Sequence, residues 1–167
     1  MYTNMKSKQL VCWCSAITLF LLSACASSDN GYTGSKYPPT GQVETIFQVA
    51  QSPASCRVFA HVFATMPADM TTQDFSERVA AEAKSKGADL MLIGQSRQST
   101  TESSLNYAYY GPDREYNVKE WPGWSFGFDE WAEQGNWATI GYDEWTRADV
   151  HYDYPIVMQV VFLRCQE

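Results

Sequence analysis

The clearest periodicity in the chain runs from Thr71 to Lys86. Phe75, Val79 and Ala83 recur at four-residue steps with Ala80 beside them, and Asp74, Arg78, Glu82 and Lys86 recur at the same step on another stripe. An apolar stripe opposite a charged stripe of alternating sign predicts an amphipathic helix, buried along the first and laced with i,i+4 ion pairs along the second. Thr71, with Asp74 three residues on, is a start signal, and Gly87 stands where a helix end favours a left-handed residue. On either side the period drops to two. Val43, Thr45, Phe47 and Val49 alternate through 42–49 and predict a strand, which the turn-forming QSPAS closes. In Cys56–Phe63, Val58, Ala60 and Val62 fall on one face and Arg57, Phe59, His61 and Phe63 on the other, predicting a strand with His61 half-buried among aromatics. Asp89–Gly94 reads as a short apolar strand. Pro155–Cys165 is apolar on both faces of its alternation except at Gln159, the pattern of an inner strand covered on both sides.

Strand, helix and strand over 56–94 make a βαβ unit, whose two strands run parallel. The expected fold is α+β: a small mixed β-sheet with one βαβ unit, one main helix on one face, and an aromatic-rich irregular or hairpin insert at 107–154. That insert holds 14 of the chain's 24 aromatic residues, and glycine and proline punctuate it at Gly111-Pro112, Pro122-Gly123, Gly127, Gly135 and Gly141. It also writes one phrase twice, GFDEW at 127–131 and GYDEW at 141–145.

The first residues follow another rule. Lys6 and Lys8 precede the apolar run LVCWCSAITLFLL from Leu10 to Leu22, which ends in LSAC and passes into polar ASSDNG. The run is shorter than the roughly 20 residues a membrane span needs. A basic start, a short apolar run and small residues before a cut site predict a secretory signal peptide over 1–24. LSAC resembles the lipobox of bacterial lipoproteins. That resemblance implies diacylglyceryl on the Cys25 thiol, cleavage before Cys25 and acylation of the new amine by a fatty acid such as palmitate. Ala rather than Asp at 26 implies export to the outer membrane, with the protein lipid-anchored on the periplasmic face. The Ser-, Gly- and Pro-rich segment 25–41 then reads as a lipidated tether and 42–167 as a single domain.

Charge narrows the partners. Lys6 and Lys8 are the only charges before residue 25, so of 12 basic and 19 acidic residues the remainder keeps 10 and 19. That excess of acid argues against nucleic acid and anionic lipid head groups, and is compatible with cations, basic peptides or neutral glycans. Of the five cysteines, Cys12 and Cys14 leave with the signal and Cys25 takes the lipid, so Cys56 and Cys165 remain to form a disulfide in an oxidising compartment. Two separate buried thiols are the alternative. His61 and His151 are the only histidines and neither CxxC nor HExxH occurs, so neither a metal site nor a cofactor is expected.

YPPTGQVETIF followed by a strand and FSERVAAEAKSKGADLMLIG resembles a group of small bacterial cell-envelope lipoproteins. The resemblance covers about 22–94 and the terminal strand, and implies a compact α+β domain with no established enzymatic activity. The aromatic insert lies outside it.

Three readings of the repeat stay open. The aromatics can pack as a cover over the open sheet face with their acids in water. Part of that cover can serve as a binding surface for peptidoglycan or an envelope protein, with Trp121, Trp124, Trp131 and Trp145 beside Asp129, Glu130, Asp143 and Glu144 as candidates. Two carboxylates can hydrolyse a glycosidic bond if they share one cleft. GWSFG matches GxSxG, but EWPG precedes it where a nucleophile elbow needs a buried strand. No catalytic residue is assigned, and the function expected is that of a membrane-anchored, non-enzymatic interaction module.

Overall fold

The computed structural model describes residues 31–165. The signal-like run, the cut site and Cys25 lie outside the described residues. Seven strands among the described residues form one mixed sheet. They are β1 (Glu44–Ile46), β2 (Cys56–Met66), β3 (Leu90–Gln98), β4 (Asn106–Gly111), β5 (Tyr116–Asn117), β6 (Trp137–Ala138) and β7 (Ile156–Cys165), with helices α1 (Thr72–Ser85) and α2 (Phe128–Ala132). The lateral order is β1-β3-β7-β2-β4, with β5 sharing the outer edge of β2 and β6 pairing with β3. No helix among the described residues is long and apolar enough to cross a membrane.

The last strand sits in the middle. β7 pairs antiparallel with both β2 and β3, so those two strands run parallel to each other with β7 between them. The expected βαβ unit is therefore present in split form. Ile156 through Leu163 are all buried. Ile156, Met158, Val160 and Phe162 face the helix side with Phe75, Val79 and Ala83 of α1. Val161 and Leu163 face the other side, packed with Cys56, Val58, Leu90 and Leu92 beneath Trp121 and Trp124. The doubly apolar pattern of this strand follows from that double cover.

α1 matches its signals closely. The Thr71 hydroxyl accepts from the Asp74 N–H at 3.1 Å, and Gly87 adopts φ 84° just past the end. Its charged stripe is less wet than expected. Glu82 accepts from the Tyr109 hydroxyl at 2.6 Å, and Lys86 lies 3.8 Å from Glu82 and 5.5 Å from the Tyr109 ring centroid.

β2 departs from simple alternation. Val58 pairs with Leu163 and Ala60 with Phe162, leaving Phe59 as an extra residue. This bulge turns Phe59 and Ala60 to the same side, so both join the helix-side core, whereas Val58 joins the opposite cluster. His61 consequently faces the insert, and it is fully buried rather than half-buried. The strand expected over 42–49 stops early, because the Gln51 side chain accepts from the Phe47 and Gln48 N–H groups at 2.9 and 2.8 Å and bends the chain into a 3₁₀ turn.

The described part of the expected tether packs against the body. Tyr32 is buried in the helix-side core and its hydroxyl donates to the Phe59 carbonyl at 3.0 Å. Tyr37 stacks edge-on against Phe59 at 5.1 Å and bonds Glu115; burial first, then that carboxylate, pushes its hydroxyl up to about 12. Thr40 donates to the Lys84 and Ala88 carbonyls at 3.0 and 2.6 Å. Cys56 and Cys165 form a disulfide, and they are register partners at the matching ends of β2 and β7.

Candidate functional site

The repeat is a local structure used twice. Each copy closes one helical turn, with Trp131 N–H donating to the Gly127 carbonyl at 2.9 Å and Trp145 N–H to the Gly141 carbonyl at 3.0 Å. In both, the tryptophan points inward, 4% and 6% exposed, and the aromatic after glycine points outward, Phe128 at 59% and Tyr142 at 78%. Asp129, Glu130 and Asp143 are exposed. Glu144 is half-buried, its carboxylate accepting from the Gly141 N–H at 2.9 Å. Glycine at 127 is required, since φ is 69° there and an added Cβ would meet the Tyr110 ring at 2.6 Å.

The two turns occupy opposite faces of the sheet. Trp131 packs with Phe63 and Val157 on the insert side, whereas Trp145 lies edge-on to Phe75 of α1 at 6.2 Å. The expectation that the insert covers one face is corrected here: after 127–131 the chain passes around the sheet through β6. The second turn then finishes the start of α1. The Thr72 and Gln73 N–H groups, which a helix leaves without internal partners, donate to the Val150 and Arg147 carbonyls at 2.9 and 3.1 Å. The Thr72 hydroxyl donates to the Glu144 and Arg147 carbonyls at 2.5 and 3.0 Å.

Trp121 and Trp124 meet edge-to-face at 5.2 Å and close over His61, whose ring lies 5.3 Å from that of Trp124 and 5.8 Å from that of Phe126. Among the described residues, neither His61 nitrogen, nor Trp121 Nε1, nor Gln159 Oε1 has a hydrogen-bond partner. Burial drives the His61 imidazole down to about 4. Trp124 also rests on Gly94, where a Cβ would meet its ring at 2.6 Å.

The four candidate tryptophans thus serve as cover and core. Of the four candidate carboxylates, Asp143 lines a cleft, Glu144 caps its own turn, and Asp129 and Glu130 lie on the far side with Trp131. The pairs do not converge. Sequence reasoning missed the rings that do face solvent, namely Phe128, Trp137 and Tyr142. The repeat held a signal for two of them, since it duplicates the aromatic after glycine as well as the tryptophan. Trp137 flanks Arg97, whose guanidinium lies 5.0 Å from the Trp137 centroid and 5.8 Å from that of Trp131. Arg97 also donates to the Trp131 and Gly135 carbonyls at 2.7 and 2.8 Å, so its role is to cap α2.

A cleft of about 460 Å³ opens beside the second turn, lined by Phe47, Tyr142, Asp143, Trp145, Thr146 and Arg147. The Phe47 ring stands edge-on to Tyr142 at 5.5 Å and 81°, and to Trp145 at 6.4 Å and 82°. Thr146 holds φ 70°, an uncommon conformation for a β-branched residue. Arg147 is forked onto Asp149 at 2.8 and 2.5 Å, which lowers the Asp149 carboxyl and raises the guanidinium. Asp143 makes no hydrogen bond among the described residues, and its charge acts on the neighbouring Arg147. A second cleft of about 610 Å³ lies near β1 and the disulfide, with Glu44 and Asp89 in its lining. Asp89 is already engaged there by the Cys165 N–H at 2.8 Å and by Arg164 at 3.4 Å. No protein-family model, characterised protein or solved structure matches this chain.

Proposed function

We propose that this chain is a lipoprotein anchored through Cys25 to the outer membrane, facing the periplasm, and acting there as a non-enzymatic interaction module for an envelope protein or peptidoglycan. The observation that carries the reading is the Cys56–Cys165 disulfide, which ties the central strand to its neighbour. Such a bond persists in an oxidising compartment outside the cytoplasm, which agrees with the signal-like first 24 residues and LSAC. The interaction role draws support from the open aromatic cleft, and from the separation of the repeat's two carboxylate pairs, which do not share one cleft. Acylation supplies firm attachment because each buried CH₂ contributes about 0.8 kcal/mol and several chains act together. The test is intact mass and fractionation of the full chain from a Gram-negative envelope. The expected product starts at Cys25, carries acyl mass and sediments with outer membranes, while Cys25→Ser lacks that mass. A soluble product without acyl chains overturns the assignment.

A further inference from the structure

We propose that the cleft formed by Phe47, Tyr142, Trp145 and Asp143 binds a cationic side chain, presented by a lysine- or arginine-bearing segment of a partner protein. The proposal deepens the interaction role above and rests on it for its biological setting.

Ring geometry is the first argument. A sugar stacks on a flat platform, but Phe47 stands perpendicular to both of its neighbours. Phe47 and the buried Trp145 back the cleft edge-on, and the open face there is that of Tyr142, to which a cation is attracted. Tyr142 is 78% exposed, so its face needs no rearrangement to be reached.

Charge is the second. Arg147 is neutralised by its forked pair with Asp149, and Glu144 is held by Gly141. Asp143, on the sequence neighbour of the exposed ring, also acts on Arg147 together with Glu144 and Asp149, so three carboxylates surround one guanidinium and the group stays net negative. The excess of carboxylate over guanidinium beside the cleft sets the sign of the local field, which favours approach of a basic segment. Addition of a partner strand along β1 is disfavoured, because Gln51 already occupies the Phe47 N–H that would extend the edge.

The experiment is calorimetric titration of the full chain, extracted in detergent, with pentalysine. The same peptide acetylated on every amine and a soluble tetramer of N-acetylglucosamine serve as comparison ligands. Pentalysine is expected to bind saturably and the other two not to bind. Asp143→Asn and Tyr142→Ala are each expected to weaken binding by about fivefold, in line with one lost charge or ring contact, without lowering Tm. Asp129→Asn, on the opposite face, is expected to leave the affinity unchanged. Equal weakening by Asp129→Asn indicates diffuse charge attraction and overturns the site, as does binding of the sugar in place of the peptide, or no saturable binding. Absence of binding by a chain that carries its acyl groups removes this site alone. Binding that depends on Asp143 in a chain lacking acyl groups removes the membrane assignment alone.

Discussion

At the residue scale, His61 is the group whose chemistry is most at odds with its surroundings. Its imidazole lies among Phe63, Trp121, Trp124 and Phe126, and burial holds it near 4 against 6.5 when free. The unfolded chain therefore binds a proton between those pH values that the folded chain does not. The His61 contribution to stability should be complete above about pH 6.5, fall as pH drops toward 4, and level off below that. The shift corresponds to roughly 3 kcal/mol at full extent. His61→Leu keeps an apolar side chain of similar bulk and has no proton to take up. Its denaturation midpoint should change much less between pH 7 and pH 4 than that of the parent, measured in urea across that range. An equal slope in both proteins would place the acid sensitivity elsewhere.

At the element scale, α1 and the second repeat turn are parts of one construction. Thr71 caps the helix locally, but Thr72, Gln73 and the carbonyls of Glu144, Arg147 and Val150 join it to a segment more than 70 residues away. Thr72→Val keeps the shape and removes the hydroxyl. It should cost about 1–3 kcal/mol by leaving the part-buried Glu144 carbonyl short of a partner, while Arg147 keeps the Gln73 N–H. Hydrogen exchange should rise in 141–151 more than in the body of α1, because β7 and Phe75 still hold the helix. Uniform acceleration across the sheet would contradict a local fastening. The start, end and buried stripe of α1 were all legible, since each depends on neighbours within four residues. The bulge at Phe59 was not, because an extra residue exists only relative to the strand opposite. The two-residue strands β5 and β6 were equally invisible: nothing in Tyr116–Asn117 or Trp137–Ala138 enforces extension apart from the edges of β2 and β3 that receive them.

At the scale of the molecule, the chain is closed by its last strand. β7 separates the two strands of the βαβ unit, and the disulfide locks its end to the start of β2 across a sequence separation of 109. In the chain-entropy model a loop of that length contributes about 4–5 kcal/mol. The Cys56→Ala/Cys165→Ala variant should therefore show a clearly lower urea midpoint, and loss of less than about 1 kcal/mol would mean the sheet alone defines the junction. The aromatic layer acts at the same scale. Trp121, Trp124 and Trp131 cover one face while Trp145 completes the other, so the insert wraps the sheet and leaves most of its acids exposed, Glu115 and Glu144 being half-buried.

The sequence by itself determined the α+β class, the main helix with its caps and the inner character of the terminal strand, and it favoured a Cys56–Cys165 bond while leaving the role of the repeated tryptophan open. Those features rest on local periodicity, on turn chemistry and on elimination among a few cysteines. Only the tertiary structure decided that β7 lies between β2 and β3, that the two repeats sit on opposite faces, that Tyr32 and Tyr37 dock onto the body, and that Tyr142 rather than a tryptophan faces solvent beside Asp143. Each of these depends on which distant surfaces meet, and burial against a remote partner leaves no period in the chain that supplies it.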